Sequence, residues 1–447
     1  MRLKFTPFLI AACIGFQANA QTWVTDSVSM GAQINPPNGP SYHEDVYYSL
    51  KNGQQKTSSN LDWEIAFQMT KPGPNGNVSV FANHAQAAVE VYSLHMSASS
   101  KFASLSASDT VGLTSNQLYN KDTSWNWGAF NVNTSGNIID YGWGVYNITS
   151  HKVTGDTLYL VKVNGVPYKL WIQEYISTPA DSVQYKFRIA KFDGTGDKTE
   201  RVYMKNYPNR LFAYYDIDNG TFADRETGLN GWDLLFTRYI AFVSQGPGPL
   251  VPYPVMGIMS NNNMLKADVR NVNPDTTKYN NYLWSTGTEL INEPGYDWKT
   301  FNNSTFKWEL DTNATFYILS TNSKEIYQIA FTRFDGGSTG KTVFKKRKVA
   351  DAPITSVNNI EQVVTSHVLV PNPASGRTDM LLTANEATNA RMIITDITGK
   401  TMLNSPVRLD KGLNALGVDV SAYPTGTYVI SVSDGNWQAS EKMVVNH

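Results

Sequence analysis

The chain has 447 residues with 37 basic and 38 acidic side chains, 12% aromatic residues and only 17% charged ones. Near-neutral charge excludes the basic footprint of a nucleic-acid binder. The one cysteine, Cys13, sits in an N-terminal apolar run, so everything after it lacks thiols, and disulfides, cysteine–zinc sites, iron–sulfur clusters and cysteine nucleophiles are excluded there.

Arg2 and Lys4 precede the apolar run 7-PFLIAACIGF-16, and the small residues 18-ANA-20 follow. This is the three-part pattern of a secretory signal peptide over residues 1–20, with cleavage expected before Gln21. The run is well short of the ~20 residues of a membrane span. Removing Arg2 and Lys4 leaves 35 basic against 38 acidic residues, a net charge of −3. Residues 21–42 read as a lead-in.

From residue 43 the text is written twice. The stretch 47-YYSLKNGQQ-55 and 61-LDWEIAFQM-69 returns as 214-YYDIDNGTF-222 and 229-LNGWDLLFTRYIAF-242. Then 78-VSVFANHAQAAVEV-91 faces 255-VMGIMSNNNMLKADV-269, and 141-YGWGVYN-147 faces 296-YDWKTFN-302. Next, 157-TLYLVKVNGVPYKLWI-172 faces 315-TFYILSTNSKEIYQIAF-331, and 191-KFDGTGDKTERVYMK-205 faces 333-RFDGGSTGKTVFKKR-347. Matched blocks in one order define two homologous units, 43–208 and 211–349. In Trp63-Glu-Ile-Ala-Phe67 and Trp232-Asp-Leu-Leu-Phe236 the large residues stand two apart, so Trp, Ile or Leu, and Phe are expected on one face of a strand. The 159–172 stretch reads as strand, Asn-Gly turn, strand. The Phe-Asp-Gly runs read as turns. No long helical periodicity appears, and each unit is predicted mainly β. Trp63, Phe67, Trp143, Trp232, Phe236 and Trp298 are the expected core of the repeat.

The order Tyr-Tyr, Trp-Asp-Leu-Leu-Phe-Thr-Arg-Tyr, Tyr-Pro-Val-x-Gly, Tyr-x-Trp and Phe-Asp-Gly resembles the HmuY-like family of exported haem-binding proteins from Bacteroidetes. The second unit carries it in 232-WDLLFTRY-239, 253-YPVMG-257 and 296-YDW-298; the first keeps 63-WEIAF-67 and 141-YGW-143 but lacks Tyr-Pro-Val-x-Gly. The shared residues are those of core and turns.

Residues 350–367 read as a polar linker. From 368-VLVPNPASG-376 the text changes, with short apolar runs at 391-RMIITDITGK-400, 423-YPTGTYVISVSDG-435 and 442-KMVVN-446. These predict a small C-terminal Ig-like β-sandwich over 368–447. Pro-Asn-Pro-Ala-Ser, Ile-Thr-Asp-Ile-Thr-Gly-Lys, Pro-Thr-Gly-Thr-Tyr and Lys-Met-Val-Val resemble the type A C-terminal sorting domain of the type IX secretion system. Leu369-Val370 departs from the aromatic that often precedes Pro-Asn-Pro. The resemblance implies passage through the periplasm and across the outer membrane to the cell surface or the medium, the secretion machinery being the partner of 368–447.

The chemistry is thin. His43, His84, His95 and His151 form no metalloprotease spacing, and no nucleophile elbow or phosphate loop occurs, so no enzyme is expected. Asp193 and Asp335 are expected to brace turns, and Asp224-Arg225-Glu226 to form a solvated turn or an ion pair. Haem, which the family resemblance implies, needs axial ligands such as His or Met. The candidates are His84, His95 and His151 in the first unit and Met256, Met259 and Met264 in the second. Aligning 89-VEV-91 with 267-ADV-269 puts His84 opposite Asn262, so the units do not share a ligand there. The competing class is a surface adhesin or a glycan- or polymer-binding accessory without haem, its aromatics suited to stacking on sugars.

Overall fold

The computed structural model describes residues 22–36, 39–70, 78–85, 89–111, 116–132, 134–135, 139–147, 149–177, 183–262, 264–280, 287–352, 364–397, 400–434 and 437–447. The expected signal peptide lies outside the described residues. The protein is mainly β throughout, as its composition predicts.

Ahead of the tail the strands build four layers. One outer sheet runs Lys198–Tyr203, Gln184–Lys191, Val166–Ile176, and then divides: Thr157–Val163 with Glu90–Ser97 on one half, Lys152–Thr154 with Val145–Asn147 on the other. The first inner sheet runs Thr221–Ala223, Phe212–Asp216, Ile65–Gln68, Val80–Ala82. The second inner sheet runs Val251–Ser260, Leu234–Val243, Glu44–Ser49, Gly53–Ser59. The other outer sheet runs Val24–Ser29, Lys341–Asp351, Glu325–Phe334, Thr315–Ser320, Leu265–Val269.

The central inner strands Ile65–Gln68 and the first half of Leu234–Val243 are apolar on both faces because both faces are buried. Side chains of a strand alternate. Ile65 and Phe67 point into one core, with Val80, Phe187 and Tyr215, while Ala66 between them joins a middle core with Phe81, Phe212 and Tyr214. Leu234 and Phe236 likewise enter a core with Val46, Tyr48 and Phe344, while Leu235 enters the middle core beside Tyr47. The two inner sheets therefore pack face to face, and each also covers its own outer sheet. Trp63 and Trp232 belong to the middle layer, not to the face of Ile65–Phe67 and Leu234–Phe236. Each Trp lies outside its strand, which begins two residues later at Ile65 or Leu234, so the alternation of the strand does not govern the indole.

The repeat and the sheets have different boundaries. Tyr47 and Tyr48, from the first copy, pair with Leu235 and Leu234 of the second. Tyr214 and Tyr215, from the second copy, pair with Ala66 and Ile65 of the first. The register is the same in both. Each copy gives its Tyr-Tyr strand to the other copy's Trp-acid strand. In space, the described strands between 65 and 223 form one half, and those of 24–59 and 234–351 form the other. Val24–Ser29, within the lead-in, is an edge strand on Lys341–Asp351. It fills the place that Lys198–Tyr203 has in the other outer sheet. For that reason the two Phe-Asp-Gly turns are not equivalent: Phe192-Asp193-Gly194 joins the outermost pair of its sheet, and Phe334-Asp335-Gly336 the next pair inward.

Register also corrects one alignment. Val91, Tyr92 and Ser93 face Val161, Leu160 and Tyr159; Leu265, Lys266 and Ala267 face Leu319, Ile318 and Tyr317. The equivalents are 91-VYS-93 and 265-LKA-267, not 89-VEV-91 and 267-ADV-269. Between Asn83 and that strand the first unit is longer by four residues than the second is after Asn261, and His84 opens the longer stretch.

The outer edge of Val251–Ser260 is closed against further pairing. Ile258 and Ser260 donate to Gly295 and Ile291 at 2.9 and 2.7 Å, and the residues that alternate with them outward include Pro252 and Pro254, which have no N–H to offer.

The tail is a separate two-sheet sandwich. Val364–Val370, Arg377–Ala384 and Gly412–Asp419 form one sheet; Thr401–Leu409, Thr388–Asp396, Gly426–Ser433 and Gln438–Val445 form the other. Its core, including Leu382, Ile394, Ile430 and Met443, is its own. The first strand starts at Val364, inside the stretch expected as linker.

Candidate functional site

The acid of each Trp-acid block is a buried clasp. Glu64 Oε2 accepts the Ile217 N–H at 2.6 Å, and Asp233 Oδ2 accepts the Leu50 N–H at 2.7 Å. Ile217 and Leu50 each follow the Tyr-Tyr pair of the other copy. Burial raises both carboxyls, Glu64 to about 7. A second matched pair closes the turn above: Asn83 Nδ2 donates to the carbonyls of Asn60 and Trp63 at 2.8 and 2.9 Å, and Asn261 Nδ2 to those of Leu229 and Trp232 at 2.7 and 2.8 Å.

Arg225 and Glu226 are buried, so the solvated-turn alternative for 224–226 does not hold and the ion pair does. Arg225 meets Asp45 and Asp62, each at 3.1 Å, and lies over the Tyr214 ring. Thr237 Oγ1 donates to the same Asp45 at 2.7 Å. Glu226 accepts the N–H of Leu211 and Phe212 and the Tyr214 hydroxyl. Buried charges are tolerated when paired and hydrogen-bonded, as here. Asp193 and Asp335 do brace turns, Asp193 accepting from Thr195 and Asp335 from Thr339.

Beside this network lies a cavity of about 80 Å³ between the inner sheets, lined by Trp63, His84, Asp122, Trp125 and Tyr239 among others. Buried Trp63 Nε1, His84 Nε2 and the Tyr239 hydroxyl have no hydrogen-bond partner among the described residues. Unmet buried polar atoms are uncommon and cost about 1–3 kcal/mol each. His84 Nδ1 lies 2.6 Å from the Val89 carbonyl. A carbonyl only accepts, so Nδ1 carries the proton and Nε2 is left as a bare lone pair. Burial holds the imidazole neutral, its pKa lowered to about 4. Tyr119 packs on the His84 ring at 5.2 Å, and Phe242 packs edge-on against Tyr119 at 5.6 Å.

The six ligand candidates are not brought together. His95 is exposed at the end of Glu90–Ser97, and His151 lies in the turn before Lys152–Thr154, where Nδ1 is 3.0 Å from the Tyr146 hydroxyl. Met256 and Met264 are buried in the second half's core, and Met259 lies in the middle layer and lines the cavity. Of the repeat-core candidates, Phe67, Trp143, Trp232, Phe236 and Trp298 are fully buried, and Trp63 is only partly so because it faces the cavity. Among the described residues no group of at least three His, Cys, Asp or Glu could hold a metal ion. Asp45 escaped the sequence reading, since its partners Arg225 and Thr237 lie in the other copy; Tyr239 escaped it because nothing in the strand pattern marks a hydroxyl that will face a cavity.

The model of a secretion system C-terminal sorting domain matches residues 368–446. The tail is that sorting domain. The chain is therefore a cargo protein of the type IX secretion system, exported to the cell surface or beyond, and the sandwich of 364–445 is its address. Among the described residues no helix is long and apolar enough to cross a membrane. No curated protein matches the chain. Among solved structures, 59% of the chain is similar to the dimeric latent PorU from Porphyromonas gingivalis at 12% identity and a TM-score of 0.17, too slight a likeness to place the fold. The chain spans 31% of that protein's length.

Proposed function

We propose that this cargo is a binding protein, not an enzyme, whose ligand places a hydrogen-bond-donating group beside His84. The bare, sealed Nε2 of His84 in the inner-layer cavity is the observation that carries the proposal. Of the acids that line the cavity, Asp45 is held by Arg225 and Asp122 accepts from Asn292 Nδ2, which supports binding over acid–base chemistry. The resemblance of both repeats to HmuY-like proteins also supports a binding role.

The residues do not fit an enclosed haem. A cavity of about 80 Å³ is well below the ~300–1,000 Å³ of sites that enclose cofactors. His84 is the one candidate with a bare nitrogen beside the cavity, and neither His95 nor His151 lines it. A small donor such as an alcohol or a phenol suits the space and the lone pair.

Side-chain nitrogen NMR of histidine tests this. His84 is expected to stay neutral, protonated on Nδ1, down to about pH 4. Its Nε2 resonance should move when a small alcohol or phenol binds, and H84A should abolish that binding while H95A and H151A leave it intact. If no such probe shifts the resonance, the site is wrong. Haemin titration is the parallel arm: a Soret band at one equivalent, lost in H84A, would put iron there instead.

A further inference from the structure

We propose that the free edge of the long strand Leu234–Val243 receives an extended peptide as an added strand, and that one hydroxyl side chain of this peptide enters the cavity at His84. The second half of the proposal rests on the reading of His84 above. Leu234, Leu235 and Phe236 pair with Tyr48, Tyr47 and Val46, and there that pairing stops. The strand itself runs on to Val243, paired throughout with Val251–Ser260 on its other side. Continuing the register would set Glu44 against Arg238. Instead the Glu44 N–H donates to the Met30 carbonyl at 3.0 Å and the Tyr42 N–H to that of Gly31 at 3.2 Å. The chain is drawn off toward the lead-in, and the pairing edge beyond Phe236 is not continued.

Alternation decides which backbone groups face that edge. Ile258 and Ser260 turn their N–H groups away from the hairpin, to Gly295 and Ile291. Tyr253, Val255 and Gly257 therefore turn theirs toward Ala241, Tyr239 and Thr237. That leaves the N–H and carbonyl groups of Ile240 and Phe242 on the opposite edge, where they have no hydrogen-bond partner among the described residues. The neighbouring edges Val251–Ser260 and Val80–Ala82 are both shut. On the second, Val80 N–H donates to Asn131 Oδ1 at 2.9 Å, Ala82 N–H to Asn120 Oδ1 at 3.1 Å, and Asn120 Nδ2 to the Ala82 carbonyl at 2.7 Å. Ile65–Gln68, the equivalent strand of the first half, is covered along its whole length by Phe212–Tyr215. An open edge beside edges that are shut invites strand addition.

The cavity lies along this edge. Thr237, Arg238, Tyr239 and Ile240 line it in succession, together with Trp63 and His84. A strand laid on the edge would turn alternate side chains toward the cavity. The edge itself selects a peptide. Ile240 and Phe242 each offer one donor and one acceptor, roughly 7 Å apart along the strand, and an extended backbone returns acceptor and donor at the same spacing. The cavity selects the side chain. Its volume of about 80 Å³ admits a small group, and the bare Nε2 of His84 accepts a hydrogen bond. A charged donor would have to give up its water to enter. Asp45 and Asp122 in the wall are already held by Arg225 and Asn292, so they call for no cation. Serine or threonine meets both demands. Phe242, 47% exposed and edge-on to Tyr119 at 5.6 Å, flanks the end of the added strand.

Random peptides displayed on phage and selected on the full chain supply the probe. The tightest binder is then synthesised with a methyl group on one backbone nitrogen at a time. Methylation is expected to weaken binding about tenfold at alternate positions, by loss of one hydrogen bond to the edge, and to change little at the positions between. Hydrogen exchange at the Ile240 and Phe242 amides should slow in the complex. An inward serine or threonine should be present, and its replacement by alanine should weaken binding to the parent but not to H84A. The absence of any selected peptide, or losses that do not alternate, overturns the proposal. So does equal binding of the serine or threonine peptide and its alanine form by the parent. A concentration-dependent dimer that protects the same amides without peptide also overturns it. Should the edge fail in these ways, the shift of His84 Nε2 by a small alcohol still decides the cavity by itself.

Discussion

Replacing Trp232 by alanine is expected to destabilise the protein by about 3–5 kcal/mol, the usual range for a large aromatic removed from a core. Trp232 is 1% exposed and meets Tyr47 edge-on at 5.4 Å, in the middle layer that both halves share. The cavity would open where Leu235 and Met259 also pack, so both halves should lose stability together. Trp63, its repeat mate, already faces a cavity, and W63A should cost less. Urea unfolding followed by circular dichroism measures both. An unmoved W232A midpoint would contradict this placement.

Deleting residues 368–447 is expected to abolish surface delivery and leave a folded protein in the periplasm. The sorting domain closes its own core, from Leu369 to Val445, and among the described residues this core shares no member with those of the four layers. The body should therefore melt as it does in the full chain. Fractionation of the producing cells, with protease shaving of the surface, reads the result. Normal delivery of the truncated chain would show that the address lies elsewhere.

Much of this architecture was legible in the sequence. The period-two pattern around Ile65 and Phe67 gave β structure, and the matched blocks gave the repeat. The exchange between copies was not legible, for a physical reason. Tyr47-Tyr48 and Tyr214-Tyr215 offer nearly the same strand, and Ile65–Phe67 and Leu234–Phe236 nearly the same partner. Local pairing strength does not choose between them; the clasps of Glu64 on Ile217 and Asp233 on Leu50 lie across the copies and become visible only in space. Val24–Ser29 was passed over because its polar VTDSVS pattern is that of an edge strand, buried at Val28 alone.

The candidate site was legible in one residue. His84 was one of three histidine candidates read alike. His95 and His151 looked equal to it, but the chain sends them to other surfaces. The acids of the Trp-acid blocks read as strand residues like any other, since a carboxylate between large apolar residues does not reveal that it will be buried on a backbone N–H.

The most direct test of the interlocked repeats is a cross-link between the lead-in and the second unit. Thr25 and Lys345 are opposite residues on Val24–Ser29 and Lys341–Asp351. Opposite positions of an antiparallel pair lie roughly 4.5–5.5 Å apart, within disulfide reach. Because residues after Cys13 contain no cysteine, T25C/K345C would hold the only two thiols beyond the expected signal peptide. The account predicts that they oxidise to a reducible link, found by mass spectrometry as a joined pair of peptides, while T25C/R188C stays reduced. A link in T25C/R188C and none in T25C/K345C would contradict it, placing the lead-in strand on its own copy.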